Sequence, residues 1–141
     1  MVIVDANVLL YAVDSASAHH EPSQNWLDTS LAGAEAVGFA WVVLLAFVRI
    51  GTNESIMPHP MTAEEAIGQV ESWLGAPAAV VAQPTGRHAA LLKGLLRESG
   101  TGGNLTTDAH LAALAIEHGA DLISYDRDFG RFAGVRHRLP G

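Results

Sequence analysis

Short apolar runs alternate along the chain with longer segments in which apolar residues recur at helical spacing. The short runs are rich in β-branched residues and predict buried strands, whereas the longer segments predict amphipathic helices. The predicted strands are 1–4, 36–39, 78–82, 121–125 and 135–139, and the predicted helices are 8–13, 23–31, 41–50, 62–73, 85–96 and 107–118. This alternation predicts an α/β fold, a three-layer α/β/α sandwich with a central, mainly parallel sheet.

Polar and small residues mark the ends of several of these elements. Thr62 and Glu65 have the spacing of a capping box at the start of the fourth helix. Thr106 or Thr107 should cap the last helix, and the glycine-rich segment 99–103 should be a flexible connection.

Four aromatic residues fall within apolar helical patterns. They are Trp26, Trp41, Phe47 and Trp73. We expect these side chains to lie in the core rather than to form platforms on which nucleic-acid bases stack.

Composition limits the kinds of protein that the sequence can encode. Its 141 residues suffice for a single domain, 1–141, and its apolar fraction of 49% excludes disorder. Cysteine is absent, which excludes disulfide frameworks and thiolate zinc sites and suits a reducing compartment. The longest apolar run, 39–48, is about half as long as a membrane span, and Asp5 interrupts any signal peptide. We therefore expect a cytoplasmic protein that does not contact a membrane.

Charge is distributed unevenly along the chain. The net charge of −7 argues against a protein that coats nucleic acid nonspecifically, and Arg49 is the only basic residue before Arg87. The stretch 127–138 is rich in arginine, and a local basic edge can still bind phosphate groups. A solvated surface explains that stretch equally well.

Acidic residues follow two predicted strands directly and open one predicted helix. Asp5 ends the first strand, and Asp126 and Asp128 follow the strand 121–125. Asp108 lies in the first turn of the last helix, on the face that should pack on the core, although the helix dipole alone would also favour an acid there. In open parallel sheets, ligands bind outside the carboxyl ends of the strands where the strand order reverses. We therefore expect these carboxylates to meet at one edge of the sheet.

Carboxylates that crowd at one edge repel one another, and a hard divalent cation such as Mg²⁺ relieves that repulsion. One or two such ions can activate water and stabilise the leaving oxygen of a phosphodiester. The sequence contains no Walker A motif, no nucleophile elbow and no dinucleotide-binding glycine motif.

Histidine offers a weaker alternative site. His19, His20 and Glu21 are a conceivable metal cluster, but adjacent side chains point apart on regular structure, so a role in a loop or at the start of a helix is preferred. His110 and His118 lie off the Asp108 face and should be exposed.

Three acidic segments resemble the motifs of PIN-domain ribonucleases. They are 4–9 (VDANVL), 107–115 (TDAHLAALA) and 124–129 (SYDRDF). Their order and spacing are similar, over essentially the whole chain, to those of VapC-type toxins of bacterial toxin–antitoxin pairs.

The resemblance implies a metal-dependent endoribonuclease that uses Mg²⁺, with Mn²⁺ as a possible substitute. The implied catalytic residues and metal ligands are Asp5, Asp108 and Asp126, with Asp128 as a further ligand close by. Ser124 matches the family's hydroxyl position and, with Asn7, would orient the site. A metal-activated water would hydrolyse the phosphodiester without a covalent intermediate, with one of the acids or a bound water as the base.

The resemblance also implies partners. Arg127 or Arg131 would contact the phosphate of the RNA substrate. A VapB-like antitoxin would place a segment in the groove and block the site, and the toxin would form a homodimer or a larger toxin–antitoxin assembly.

The sequence departs from the family pattern at one position. Ala46 stands where the family usually has a glutamate on the helix after the second strand, and Glu54 is a weak candidate replacement. One alternative is therefore a non-catalytic PIN-like module that binds RNA or protein. A second alternative is a phosphohydrolase with Asp5 as nucleophile, although that chemistry generally needs an acid where this chain has Asn7.

Overall fold

The structure is a computed structural model that describes residues 1–100 and 103–141. The strands in this part of the chain are β1 (Val2–Val4), β2 (Val37–Phe39), β3 (Ala79–Val81), β4 (Asp121–Ile123) and β5 (His137–Arg138). The α-helices are α1 (Ala6–Val13), α2 (His20–Leu31), α3 (Trp41–Gly51), α4 (Ala63–Leu74), α5 (His88–Ser99) and α6 (Thr106–Glu117). Two short 3-10 helices span Gly103–Leu105 and Arg127–Arg131.

The five strands form one parallel sheet in the order β3-β2-β1-β4-β5. The central strand β1 pairs with β2 through Ile3 and Gly38, and with β4 through Ile3 and Leu122. The chain first builds the sheet outward from β1 through β2 to β3, and then returns to the other side of β1. The strand order therefore reverses between β1 and β4, which is where an open parallel sheet binds its ligand.

The helices cover both faces of the sheet. Helices α1 to α4 pack on one another, and α5 packs on α6. Because right-handed crossovers that run in opposite directions put their helices on opposite faces, these two groups form the outer layers. The predicted α/β/α sandwich is confirmed.

The core lies between these layers and contains two of the four predicted aromatic residues. Phe47 and Trp73 are buried, with ring centroids 4.8 Å apart in an edge-on contact. Trp26 is half-buried. The prediction for Trp41 is wrong, because this side chain lies on the outer face of α3 and is 46% exposed, one turn before the equally outward Leu45.

Several predicted boundaries change for local reasons. The capping box of α4 is present, with Thr62 and Glu65 exchanging hydrogen bonds of 3.0 and 3.1 Å. Helix α2 begins at His20 rather than 23, because Pro22 fits a first helical turn, where its missing N–H has no partner to lose. Helix α6 continues directly from a 3-10 turn at Leu105, so neither threonine caps it.

The connection predicted at 99–103 lies partly outside the described residues. Within them, Gly100 ends α5 with a φ of 82°, a left-handed conformation that glycine adopts without strain. None of the helices in the described ranges is long and apolar enough to cross a membrane.

Candidate active site

Asp5 lies where β1 ends and α1 begins. Its N–H donates to the carbonyl of Ile123 on β4 at 2.9 Å, which fixes the residue at the reversal of strand order. The Oδ1 atom accepts from the N–H of Ala6 at 2.7 Å and thereby caps α1. The Oδ2 atom accepts from Ser124 Oγ at 2.7 Å and from Asn7 Nδ2 at 3.3 Å. Asp5 is thus held by hydrogen bonds on both oxygens.

Ser124 and Asn7 connect the ends of β1 and β4. The Ser124 hydroxyl is fully buried and accepts from Asn7 Nδ2 at 3.0 Å and from the N–H of Asp126 at 2.9 Å. The Asn7 Oδ1 atom accepts from the N–H of Tyr125 at 3.2 Å. The two polar side chains therefore fix Asp5 and the backbone that carries Asp126 in one network.

Asp126 and Asp108 complete the acidic group. Asp126 caps the 3-10 helix Arg127–Arg131 by accepting from the N–H of Asp128 at 2.9 Å. Asp108 is half-buried in the first turn of α6, on the same face as the buried Leu111. The predicted position of Asp108, in the first turn of the helix and on its inward face, is therefore confirmed.

The electrostatics link Asp5, Asp108 and Asp126. Partial burial raises the pKa of Asp108, and the negative charges of Asp126 and Asp5 raise it further, while the Arg131 charge lowers it. Burial likewise raises the pKa of Asp5, against the hydrogen bonds from Ser124 and Ala6, and Asp126 raises it further. The neighbouring acids therefore destabilise the charged forms of Asp5 and Asp108.

Residues near this group carry positive charge. Arg131 contacts Asp128 in an exposed ion pair, with Nη2 3.2 Å from Oδ2. Arg127 is exposed on the same 3-10 helix. His137 on β5 lies beside β4, and its Nε2–H donates to the Ser124 carbonyl oxygen at 2.8 Å. Sequence reasoning missed this histidine, because its place depends on how β5 pairs with β4.

The arginine-rich stretch is not one continuous basic edge. Arg136 and Arg138 both bind the carboxylate of Asp121, at 2.6 and 2.9 Å. Asp121 opens β4, at the end of the strand opposite the acids. Only Arg127 and Arg131 of the stretch lie at the edge that holds the acids.

Ala46 lines a groove of about 440 Å³. The other lining residues are Val42, Leu45, Arg49 and Thr107. Since Thr107 precedes Asp108, the groove borders the acidic group. None of the lining residues in the described part of the chain carries a carboxylate. Glu54 is exposed beyond the end of α3, and among the described residues no hydrogen bond joins it to the acids.

The donor set suits a hard divalent cation. Carboxylate oxygens are the preferred ligands of such ions, and a cation held there would offset the burial and repulsion that raise the pKa of Asp5 and of Asp108. In the two described ranges, no three acidic or histidine side chains are close enough together to hold one ion as they stand.

The histidines follow one sequence prediction and depart from another. Among the described residues, His19, His20 and Glu21 form no metal cluster, and the ring of His20 hydrogen-bonds the Tyr11 carbonyl at 2.9 Å. The three residues lie at the start of α2, so the preferred role at a helix start is confirmed. His110 is half-buried, with Nδ1 2.9 Å from Nε2 of His88.

The exposure predicted for His110 and His118 is therefore wrong. Burial and the neighbouring His88 lower the pKa of His110. His88 also contacts Glu117, and His118 hydrogen-bonds the Gln83 carbonyl at 2.7 Å. These contacts arise where α5 packs on α6, which periodicity within one helix does not reveal.

Comparison with known proteins places this geometry in a family. The family model described as PIN domain matches residues 2–135. Ribonuclease VapC37 of Mycobacterium tuberculosis is 60% identical over 140 residues, which are 99% of this chain and 97% of that protein. Ribonuclease VapC31 of the same species is 38% identical over 99% of both chains.

Solved structures share the fold. The VapBC2 complex of Rickettsia felis, bound to a DNA fragment from its promoter, gives a TM-score of 0.72 at 18% identity and covers 99% of this chain and 98% of that one. The sarcin-ricin loop cleaving toxin VapC20 of Mycobacterium tuberculosis gives 0.69 at 16% identity, covering 96% and 99%. The chain therefore belongs to the PIN-domain family, and within it to the VapC ribonucleases.

Proposed function

We propose that the chain is the toxin of a type II toxin–antitoxin pair and acts in the cytoplasm, with residues 1–141 as one domain. It hydrolyses RNA phosphodiester bonds as an endoribonuclease that needs Mg²⁺, or Mn²⁺ in its place. The observation that carries this proposal is the group of three carboxylates at the reversal of strand order, in which burial and the neighbouring acids raise the pKa of Asp5 and of Asp108.

In this proposal, the cation is bound by the acids at the end of the central strands. The ligands are Asp5, Asp108 and Asp126, with Asp128 as a further, exposed ligand. A divalent cation held there would supply a water of lowered pKa and would stabilise the charge on the leaving oxygen. The acids themselves, or a water held between them, accept the proton of the attacking water.

The remaining residues position the acids and the substrate. Ser124 and Asn7 hold Asp5 in one orientation, so that its charge faces the site without a cost in side-chain entropy. Arg131 lies close enough to Asp108 to lower its pKa, and it can therefore reach a phosphate bound at the acids. Arg127, exposed on the same turn, is the second phosphate contact.

The geometry does not favour a phosphohydrolase in which Asp5 is the nucleophile. Both of its oxygens accept hydrogen bonds, and Asn7 holds the position that this chemistry assigns to an acid. The recovery of a phosphorylated Asp5 after denaturation would contradict the hydrolysis proposed above.

The groove beside Asp108 suits the antitoxin. Leu45 is 60% exposed there, and Arg49 adds a positive charge at its rim. A VapB-like segment with apolar and acidic side chains would fill it and cover the acids. Structural relatives of this chain are VapBC complexes, including one from Salmonella typhimurium bound to DNA. The exposed Trp41 on the same helix suits a homodimer or a larger toxin–antitoxin assembly.

Cleavage by the purified chain is the direct test of this proposal. We expect single-stranded RNA to be cut in Mg²⁺ or Mn²⁺ and not in EDTA, and we expect expression without antitoxin to arrest growth. Mapping of the new RNA ends identifies the bond. A chain that binds RNA but leaves it intact in both metals would instead support the non-catalytic module.

Replacing Ser124 by alanine should lower cleavage activity by about 10- to 100-fold, the usual effect of removing a residue that orients a metal ligand. The variant leaves Asp5 charged but removes its shortest side-chain hydrogen bond. Single-turnover cleavage at saturating Mg²⁺ measures the effect. Ser55→Ala, at an exposed position after α3, is the matched control and should retain full activity. Equal rates for both variants would exclude an orienting role for Ser124.

Replacing Ala46 by glutamate should tighten Mg²⁺ binding by roughly tenfold, because a further carboxylate beside Asp108 raises the negative charge of the site. The groove has room for the longer side chain. The Mg²⁺ concentration at half-maximal cleavage measures the change. Ala46→Gln is the isosteric control without the charge, and its Mg²⁺ concentration at half-maximal cleavage should be near that of the wild type. A rise in the required Mg²⁺ for Ala46→Glu would contradict the prediction.

A further inference from the structure

Three aromatic rings form a cluster beside the acids. We call Tyr11, His19 and Tyr125 the aromatic cluster. The ring centroids of His19 and Tyr125 are 4.4 Å apart, with planes tilted by 34°. Tyr11 contacts Tyr125 edge-on at 5.3 Å and His19 at 5.1 Å. Each ring therefore contacts the other two, although 19 and 125 are distant in sequence.

The aromatic cluster is continuous with the network that holds Asp5. Tyr11 lies one turn after Asn7 on the same face of α1. Tyr125 lies between Ser124 and Asp126, and its N–H donates to Asn7 Oδ1 at 3.2 Å. A nucleotide next to a phosphate bound at the acids would therefore meet these rings.

One ring of the aromatic cluster is anchored, and another is exposed. The Tyr125 hydroxyl hydrogen-bonds Ser23 Oγ at 2.8 Å, and Ser23 is fully buried. His19 is exposed, and its ring packs on both tyrosine rings. The aromatic cluster thus presents an exposed ring, that of His19, on an anchored Tyr125.

Charge gives a reason for such a surface. The chain carries a net charge of −7, and only Arg127 and Arg131 of its arginine-rich stretch lie at the acidic edge. Few phosphate contacts are therefore available beside the acids. Other proteins bind single-stranded RNA by stacking its unpaired bases on aromatic side chains.

We propose that the aromatic cluster is a subsite on which a base of the substrate RNA stacks, with His19 as the contacting ring. The base belongs to a nucleotide flanking the scissile phosphate, and the subsite accepts any base because stacking needs only a π face. This subsite rests on the endoribonuclease function proposed above. His19 is a positioning residue in this scheme and takes no part in the chemistry.

Single-turnover cleavage in Mg²⁺ separates binding from chemistry. His19→Ala should raise the protein concentration at half-maximal rate by about 5- to 10-fold, the effect of losing one stacked base, and leave the maximal rate near that of the wild type. His19→Tyr keeps an aromatic face and should restore the wild-type value. His59→Ala, another exposed histidine in the loop after α3, is the matched control and should change neither quantity.

An abasic scan locates the stacked nucleotide. A series of RNA substrates, each lacking one base, should bind the wild type more weakly at one position beside the cut. His19→Ala should bind this abasic RNA as tightly as it binds intact RNA, because the variant already lacks the ring on which the base would stack. Circular dichroism and thermal unfolding of each variant verify the fold.

The outcomes distinguish this inference from the function on which it rests. If the wild type cleaves RNA but His19→Ala behaves like His59→Ala, the stacking subsite is wrong and the endoribonuclease function stands. A loss in maximal rate that His19→Tyr does not restore would also overturn the subsite. If the wild type cleaves no RNA in either metal, both proposals fail.

Discussion

Replacing Asp5 by asparagine should reduce RNA cleavage by about 10³-fold or more, the largest effect we expect of any single substitution. The amide has the shape of the carboxylate, so the backbone of β1 and α1 needs no rearrangement. The substitution removes the negative charge, however. It also makes the new NH₂ group face hydrogen-bond donors, since Ala6, Ser124 and Asn7 all donate to Asp5. The site then binds its cation weakly and loses the orientation of its central ligand.

Two measurements test this effect. One is growth after induced expression, and the other is cleavage of RNA by the purified protein. Asp28→Asn, at an exposed position on α2, makes the same chemical change away from the acids and should remain toxic. The double variant Asp5→Asn/Asp126→Asn should be hardly less active than Asp5→Asn alone, because residues that share one cation act as a unit. Equal toxicity of Asp5→Asn and the wild type would disprove the catalytic role of Asp5.

Replacing Asp108 by asparagine should reduce the rate of RNA cleavage by about 10²- to 10³-fold. The same substitution should stabilise the metal-free protein at neutral pH. The stabilisation follows from the raised pKa of Asp108, which burial, Asp126 and Asp5 produce. A carboxyl group with a higher pKa in the folded chain favours folding below its unfolded pKa. That contribution is lost as the pH rises through the folded pKa.

Thermal unfolding in EDTA across the acidic range measures this stabilisation. Above the ordinary pKa of aspartate, rising pH should lower the unfolding temperature of the wild type more than that of Asp108→Asn. Mg²⁺ should raise the unfolding temperature of the wild type and raise that of Asp108→Asn much less. Glu71→Gln, at an exposed position on α4, is the control and should follow the wild type. A variant less stable than the wild type in EDTA at neutral pH would contradict the prediction.

Local patterns predicted the architecture because each element carries its own signal. The apolar run before Asp5, the alternation of strands and helices, and the capping box at Thr62 are all readable over a few residues. Trp41 was misplaced for the same reason, because an apolar helix without a polar face gives no indication of which side meets the core.

The meeting of the acids at one edge of the sheet could be predicted on physical grounds, whereas most of the residues that contact them could not. Strand ends and the inward face of α6 suffice to bring Asp5, Asp126 and Asp108 to one edge. The positions of Ser124 and Asn7 came from resemblance, and their hydrogen bonds depend on how β1 pairs with β4. His137 and the aromatic cluster depend on contacts between distant segments, which a single sequence does not specify.

The hydrogen bond between Asp5 and Ser124 joins residues 119 positions apart. The central strand β1 is thus synthesised more than a hundred residues before its neighbour β4. Because chains are synthesised from the N-terminus at a finite rate, Asp5 waits for that interval without Ser124 and Asp126. The proposed catalytic centre therefore cannot assemble in the nascent chain until β4 is able to pair with β1.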